Sequence, residues 1–220
     1  MKLKELNIPK EFITTLKNYG VDELRPAQKK AIQGGLLDFK SQLICTPTAS
    51  GKTLIAELAA INNITNGKGK VIYIVPLKAL ASEKFKELKK RYNAFFRIAL
   101  SIGDIDSADS YLTEYDFIIC TAEKLDSLIR HQAPWLKYVS LVVIDEIHLL
   151  NDPSRGPTLE ILITILKQLL KNIQILGLSA TIGNPKELAE WLQATLIEDT
   201  WRPVKLHKGV YLEGKVEFTS

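Results

Sequence analysis

Six short, almost uninterrupted apolar runs punctuate the chain, at residues 43–45, 71–75, 98–102, 117–120, 141–144 and 173–178. A strand with one wet face alternates apolar and polar positions; these runs do not, so each predicts a strand buried on both faces. Strands of that kind belong to parallel sheets, whose crossovers are long and usually helical. The intervening segments supply helix signals. Thr121 stands as an N-cap ahead of residues 122–128, and Asn184-Pro185-Lys186-Glu187 offers an N-cap, a first-position proline and an acid at the third position. Residues 3–19 and 26–37 predict two leading helices, the second opened by Pro26, as an N-terminal appendage before the first core strand. The pattern predicts a three-layer α/β sandwich around a mainly parallel sheet.

At 220 residues the chain suits one α/β domain. No internal repeat, low-complexity tract or Pro/Gly linker interrupts it. Residues 1–40 therefore read as leading helices of the same domain as 41–200, and 201–220, from Trp201-Arg202-Pro203 onward, as a segment leading out of it. No run reaches the roughly 18 apolar residues of a membrane span, and Lys2, Lys4 and Glu5 stand where a signal peptide is apolar. A cytoplasmic monomer is expected. Cys45 and Cys120 have no metal-ligand spacing and read as small buried hydrophobes. The net charge of +4 tolerates a polyanionic partner without arguing for one. The densest basic run, 84–91, carries Phe85, Leu88 and Tyr92 at helical spacing and reads as a solvated helix face rather than a binding patch.

Chemistry enters at Thr46-Pro47-Thr48-Ala49-Ser50-Gly51-Lys52-Thr53, between the strand at 43–45 and an apolar helix at 54–64. Strand, loop and helix in that order are the context a P-loop requires. Backbone N–H groups from Thr48 to Thr53 and the helix N-terminus face phosphates, with Gly51 allowing close approach. Lys52 then meets the β- and γ-phosphates of a nucleotide, and the Thr53 hydroxyl ligates Mg²⁺. Thr46 replaces the usual first glycine, which works only if that position needs no positive φ. Glu57, the one acid of the helix at 54–64, carries no separate message, because the helix reads as core.

Asp145 and Glu146 follow the run at 141–144, at the strand edge where ligands of open α/β sheets collect. Asp145 is placed to hold Mg²⁺ through water, and Glu146 to orient or deprotonate the water that attacks the γ-phosphate. His148, alone, would read as a structural histidine.

Asp145-Glu146-Ile147-His148, the P-loop before it and Ser179-Ala180-Thr181 after the run at 173–178 resemble motifs II, I and III of superfamily-two helicases. The resemblance implies a RecA-like P-loop NTPase lobe in which His148 joins the catalytic set and Ser179 and Thr181 couple nucleotide state to nucleic-acid grip. Leu24-Arg25-Pro26-Ala27-Gln28 resembles the Q motif, which implies that Gln28 reads adenine. Val75-Pro76-Leu77-Lys78-Ala79-Leu80 resembles motif Ia, Ser101-Ile102-Gly103-Asp104 the strand end that follows it, and Thr121-Ala122-Glu123-Lys124 the start of motif Ib. Pro76, Lys78, Gly103, Asp104, Thr121, Glu123 and Lys124 are thereby implied to hold nucleic-acid phosphates.

Residues 151–157 and 201–204 are similar to segments of the archaeal fork-processing DNA helicases, relatives of the helicase part of animal DNA polymerase theta. That similarity implies the first lobe of an ATP-dependent DNA helicase, acting on single-stranded or forked DNA with a second RecA-like lobe. The chain stops before that lobe and its arginine fingers, so by itself it is expected to be nearly inactive. An RNA helicase of the exosome-cofactor type shares these motif spellings. A nucleotide-gated switch that moves nothing is the rival from another class. The Asp-Glu-Ile-His and Ser-Ala-Thr combination argues against a small-molecule kinase.

Overall fold

A computed structural model describes residues 2–103, 109–204, 208–212 and 214–219. In chain order it contains α1 (Lys10–Asn18), α2 (Pro26–Gln33), β1 (Gln42–Cys45), α3 (Lys52–Thr65), β2 (Lys70–Val75), α4 (Lys78–Tyr92), β3 (Ile98–Ser101), β4 (Phe117–Thr121), α5 (Ala122–Arg130), β5 (Val139–Ile144), α6 (Gly156–Leu169), β6 (Gln174–Ser179), α7 (Pro185–Leu192), β7 (Thr195–Glu198), β8 (Lys208–Leu212) and β9 (Lys215–Thr219). The first seven strands form one parallel sheet in the order β3-β4-β2-β5-β6-β1-β7. Strands β8 and β9 form a separate antiparallel pair.

The uninterrupted apolar runs follow from the layers. Val71, Tyr73 and Val75 of β2 and Leu141 and Val143 of β5 face a core made with α1 to α4. Their neighbours Ile72, Ile74, Val142 and Ile144 face a second core made with α5, α6 and α7. With both faces covered, neither parity of position can be polar. All six expected strands occur. Strand β7 escaped the pattern because it is an edge strand whose ends, Thr195 and Glu198, are exposed.

The leading segments depart from expectation. Instead of one helix over 3–19 there is a 3-10 turn, Leu3–Glu5, then an extended break, then α1. Pro9 causes the break: it lacks an N–H, disfavours helical backbone in the residue before it, and itself sits at φ −56°, ψ 141°. Helix α2 likewise stops at Gln33, ahead of Gly34 and of Gly35, whose φ is 93°. Nor are these segments an appendage. Leu3, Phe12, Leu16, Leu24 and Ala31 are buried in the core that contains α3 and α4, with Phe12 against Tyr92, Phe95 and Phe96.

The basic run on α4 is also more than a solvated face. Arg91 Nη1 donates to both carboxylate oxygens of Glu57, each at 2.6 Å, and the Tyr92 hydroxyl donates to the same carboxylate. Glu57 is buried, which pushes its carboxyl above the ordinary range against the opposing pull of Arg91. An apparently silent acid in an apolar helix is thus half of a buried bond between α3 and α4.

Candidate active site

The sheet order β5-β6-β1 sets three C-terminal strand ends side by side. The loop after β1 thereby meets Asp145 after β5 and Ser179 at the end of β6. The Thr46 N–H donates to the Ser179 carbonyl at 3.3 Å, extending the β1–β6 pairing into the P-loop. Thr46 Oγ1 and Ser50 Oγ, both buried, share a 2.7 Å hydrogen bond across the loop. Ala49 and Gly51 take the left-handed φ values of 64° and 91°, while Thr46 is not among the positive-φ residues. The replacement of the first glycine therefore meets its steric condition.

Lys52 opens α3, and its Nζ donates to the Thr46 carbonyl at 2.9 Å and the Pro47 carbonyl at 3.4 Å. Burial lowers its pKa, and the charges of Glu146 and Asp145 pull it back up. Those carboxylates sit on the Lys52 side of the sheet edge, as expected. The Asp145 carboxylate is oriented from two directions: the Tyr73 hydroxyl donates to Oδ2 at 3.0 Å, and the Glu146 N–H donates to Oδ1 at 3.1 Å. Tyr73 is 1% exposed, and burial first, then Asp145, holds its phenol well above the ordinary tyrosine pKa. Its role was invisible in the sequence, where Tyr73 is one apolar letter in a strand. Glu146 adopts φ 52°, which turns the chain sharply off β5. His148 Nδ1 lies 3.3 Å from Glu146 Oε2 at angles that make no hydrogen bond.

Gln28 is clamped rather than open. Its Oε1 accepts from the Arg25 N–H at 2.8 Å, a capping box at the start of α2, and its Nε2 donates to the Gly51 carbonyl at 3.0 Å. Arg25 Nη1 adds a 2.7 Å bond to the Ala49 carbonyl. Side chains at the N-terminal end of α2 thus hold the P-loop from outside. A Cβ on Gly51 would stand 2.5 Å from Gln28 Nε2, so that glycine is needed for the clamp as well as for its φ.

Thr53, in the first turn of α3, accepts a 3.4 Å hydrogen bond from Lys84 Nζ of α4. Thr53 and Asp145 offer one hydroxyl and one carboxylate, and among the described residues no cluster of three His, Cys, Asp or Glu side chains could hold a metal. A sparse oxygen set beside a phosphate loop fits Mg²⁺, which keeps several waters and binds mainly through substrate phosphates.

Of the residues implied to hold nucleic acid, Pro76 is partly exposed, and Lys78, Gly103 and Glu123 are exposed. Asp104 lies outside the described residues. Thr121 is buried and caps α5, accepting from the Lys124 N–H at 3.4 Å. Lys124 corrects the sequence reading. Its side chain is 3% exposed and its Nζ pairs with Asp109 at 3.0 Å, so its charge is spent inside the fold. Glu123, Pro76, Asp145, Glu146 and Arg155 line one small cavity of about 30 Å³, which joins this edge to the carboxylates. Ser179 is fully buried beside Cys45, whose thiol burial pushes up to about 11; Thr181 is exposed. In segment 151–157 only Gly156 is buried, and a Cβ there would lie 2.1 Å from the Leu150 carbonyl oxygen.

Residues 25–188 match the family model of the DEAD/DEAH box helicases. The chain is 59% identical over 217 residues to the ATP-dependent DNA helicase Hel308 of Methanocaldococcus jannaschii, a match that covers 94% of this chain and 18% of that protein. It is 52% identical over 216 residues to Hel308 of Pyrococcus horikoshii, covering 98% of this chain and 30% of that one. Among solved structures it is similar to the DUF1998 helicase MrfA bound to DNA, with a TM-score of 0.74 and 28% identity over 88% of this chain and 30% of that one. The same helicase bound to DNA and AMPPNP gives a TM-score of 0.73 at 27% identity, over 88% of this chain and 29% of that one. The chain spans less than a third of the length of these relatives.

Proposed function

Because the chain belongs to the DEAD/DEAH box helicase family, we propose that it is the ATP-binding lobe of an ATP-dependent DNA helicase. The observation that carries the reading is the convergence of Lys52, Asp145 and Glu146 at one sheet edge, with Pro76 and Glu123 lining a cavity beside the two carboxylates. Residues 1–40 and 41–200 work as one RecA-like unit, and 201–220 leads toward a second lobe.

Backbone N–H groups from Thr48 to Thr53 and the N-terminus of α3 hold the phosphates of ATP. Lys52 trades its bond to the Thr46 carbonyl for the β- and γ-phosphates, a stronger charge-assisted contact. Thr53 and a water-bridged Asp145 would hold Mg²⁺, whose charge offsets that of the phosphates. Glu146 orients the attacking water and accepts its proton, with His148 beside it. Gln28 meets adenine with the donor and acceptor capacity that its clamp leaves over. Pro76, Lys78, Gly103, Asp104, Thr121 and Glu123 form the strand-holding edge, and Ser179 and Thr181 couple it to the nucleotide. Arginines of the second lobe complete the site, and the cleft between lobes closes on ATP and opens after hydrolysis. The names of the Hel308 and MrfA relatives favour DNA over RNA as the strand. Among the described residues no helix is long and apolar enough to cross a membrane. A cytoplasmic monomer is part of the same proposal.

The test uses the full-length protein on matched DNA and RNA forks, with Glu146→Gln as the control variant. ATP-dependent unwinding of DNA, lost in Glu146→Gln while ATP binding persists, is the expected result. ATPase that no nucleic acid stimulates would replace the motor by a nucleotide-gated switch.

A further inference from the structure

Helices α3 and α4 lie side by side on one face of the sheet and are joined by a polar ladder. At its lower rung Arg91 binds Glu57, one turn beyond Thr53 on α3, and also Glu87 at 3.0 Å. At its upper rung Lys84 Nζ stands 3.4 Å from Thr53 Oγ1 and 3.4 Å from Glu87 Oε2. The Lys84 side chain is 18% exposed, so its charge is partly withdrawn from water. The buried Glu57 bond fixes the two helices relative to each other, leaving Lys84 within reach of Thr53 without any helix movement.

We propose that Lys84 and a divalent cation compete for the Thr53 hydroxyl, so that Lys84 sets how strongly nucleotide binding depends on metal. The inference rests on the reading of Thr53 as a metal ligand. The Thr53 oxygen can accept a hydrogen bond from an ammonium or donate a lone pair to a metal, and the two uses bring like charges within a few ångströms of each other. Glu87 provides the second seat: as the metal takes the hydroxyl, Lys84 turns wholly to that carboxylate. The same ammonium attracts phosphate whenever no metal is bound. Lys84 therefore strengthens metal-free nucleotide binding and weakens the extra affinity that metal adds.

Calorimetric titration of ADP into this chain, with Mg²⁺ varied from millimolar down to chelator alone, measures that extra affinity as a ratio of dissociation constants. Lys84→Met is expected to weaken binding in chelator by about twofold and to enlarge the Mg²⁺ ratio about fivefold, while Lys84→Arg keeps it near wild type. Glu87→Gln removes the second seat, holds the ammonium on Thr53 and is expected to shrink the ratio. Opposite signs from Lys84→Met and Glu87→Gln are the signature, because simple loosening of the α3–α4 contact would move both variants the same way. An unchanged ratio in Lys84→Met, or shifts of the same sign in both, overturns the proposal. Thr53→Ala tests the underlying reading separately: if it leaves the wild-type Mg²⁺ ratio intact, Thr53 is not the ligand, and the inference falls with that assignment rather than through Lys84.

Discussion

Replacing Tyr73 by Phe deletes one oxygen and keeps the ring, whose centroid lies 6.2 Å from that of Phe117. The lost bond is the one to Asp145 Oδ2. A hydrogen bond to a charged group contributes roughly 1.5–3 kcal/mol, but Asp145 is only partly buried and water takes over part of the role. A loss of about 1 kcal/mol at pH 8 is therefore expected, read by urea unfolding of the two chains. The pH dependence carries the sharper test. Burial and Asp145 raise the pKa of Tyr73 in the folded chain, so the stability this adds is fully present below the unfolded value near 10 and is lost as pH rises above it. The Phe variant has no such loss. Tyr92 is raised in the same way by burial and Glu57, but it is present in both chains and cancels in the difference. The gap between wild type and Tyr73→Phe should therefore narrow by about 1 kcal/mol from pH 9 to pH 11. The Mg²⁺ needed for half-maximal nucleotide binding should also rise, by roughly threefold, as Asp145 loses one of its orienting donors. Equal stabilities at pH 8, with a gap that does not move with pH, would refute the Tyr73–Asp145 bond and the positioning role built on it.

Lys52→Ala should weaken ATP binding by at least about tenfold in calorimetry, since the phosphates lose a charge-assisted partner; unchanged affinity would remove the P-loop assignment. Gln28→Ala breaks both the capping box and the bond to the Gly51 carbonyl, so ATP and inorganic triphosphate should both bind more weakly, with ATP suffering the larger loss. Equal losses would leave Gln28 as a clamp on the loop with no contact to the base. This chain alone should hydrolyse ATP very slowly, and joining it to its second lobe should raise the DNA-stimulated rate by roughly 10³-fold or more through the arginine fingers. Robust unwinding by residues 1–220 alone would sink the two-lobe reading.

What could be read from the sequence was whatever depends on local pattern or fixed spacing. The six apolar runs became β1 to β6 because burial on both faces leaves little room for polar positions, and the loop at 46–53 was legible because strand, loop and helix are adjacent in the chain. The run that became β6 contains one polar residue, Gln174, which is buried because its Nε2 donates to the carbonyls of Leu36 and Lys40 and its Oε1 accepts from Asn63. Partners of that kind are tertiary, and the sequence does not announce them. The same holds for Glu57, which reads as inert in the sequence but meets Arg91 and Tyr92, and for Lys124, which the resemblance to motif Ib implies as a phosphate contact but whose charge pairs with Asp109. The break at Pro9 is by contrast a local signal, since proline opens a helix but does not continue one.

The place of β1 in the sheet bears on how the molecule is made. Its hydrogen-bonded neighbours are β6 and β7, both encoded near the far end of the chain, and the P-loop leans on β6 through the Thr46–Ser179 bond. Closing so long a loop is entropically slow, and during synthesis it must wait until β6 has emerged. An N-terminal fragment ending after β5 would contain Lys52, Asp145 and Glu146 yet have no strand to hold them together. The nucleotide site proposed for this edge would thus form only once β6 has paired with β1, and a chain that has not reached that stage would have none.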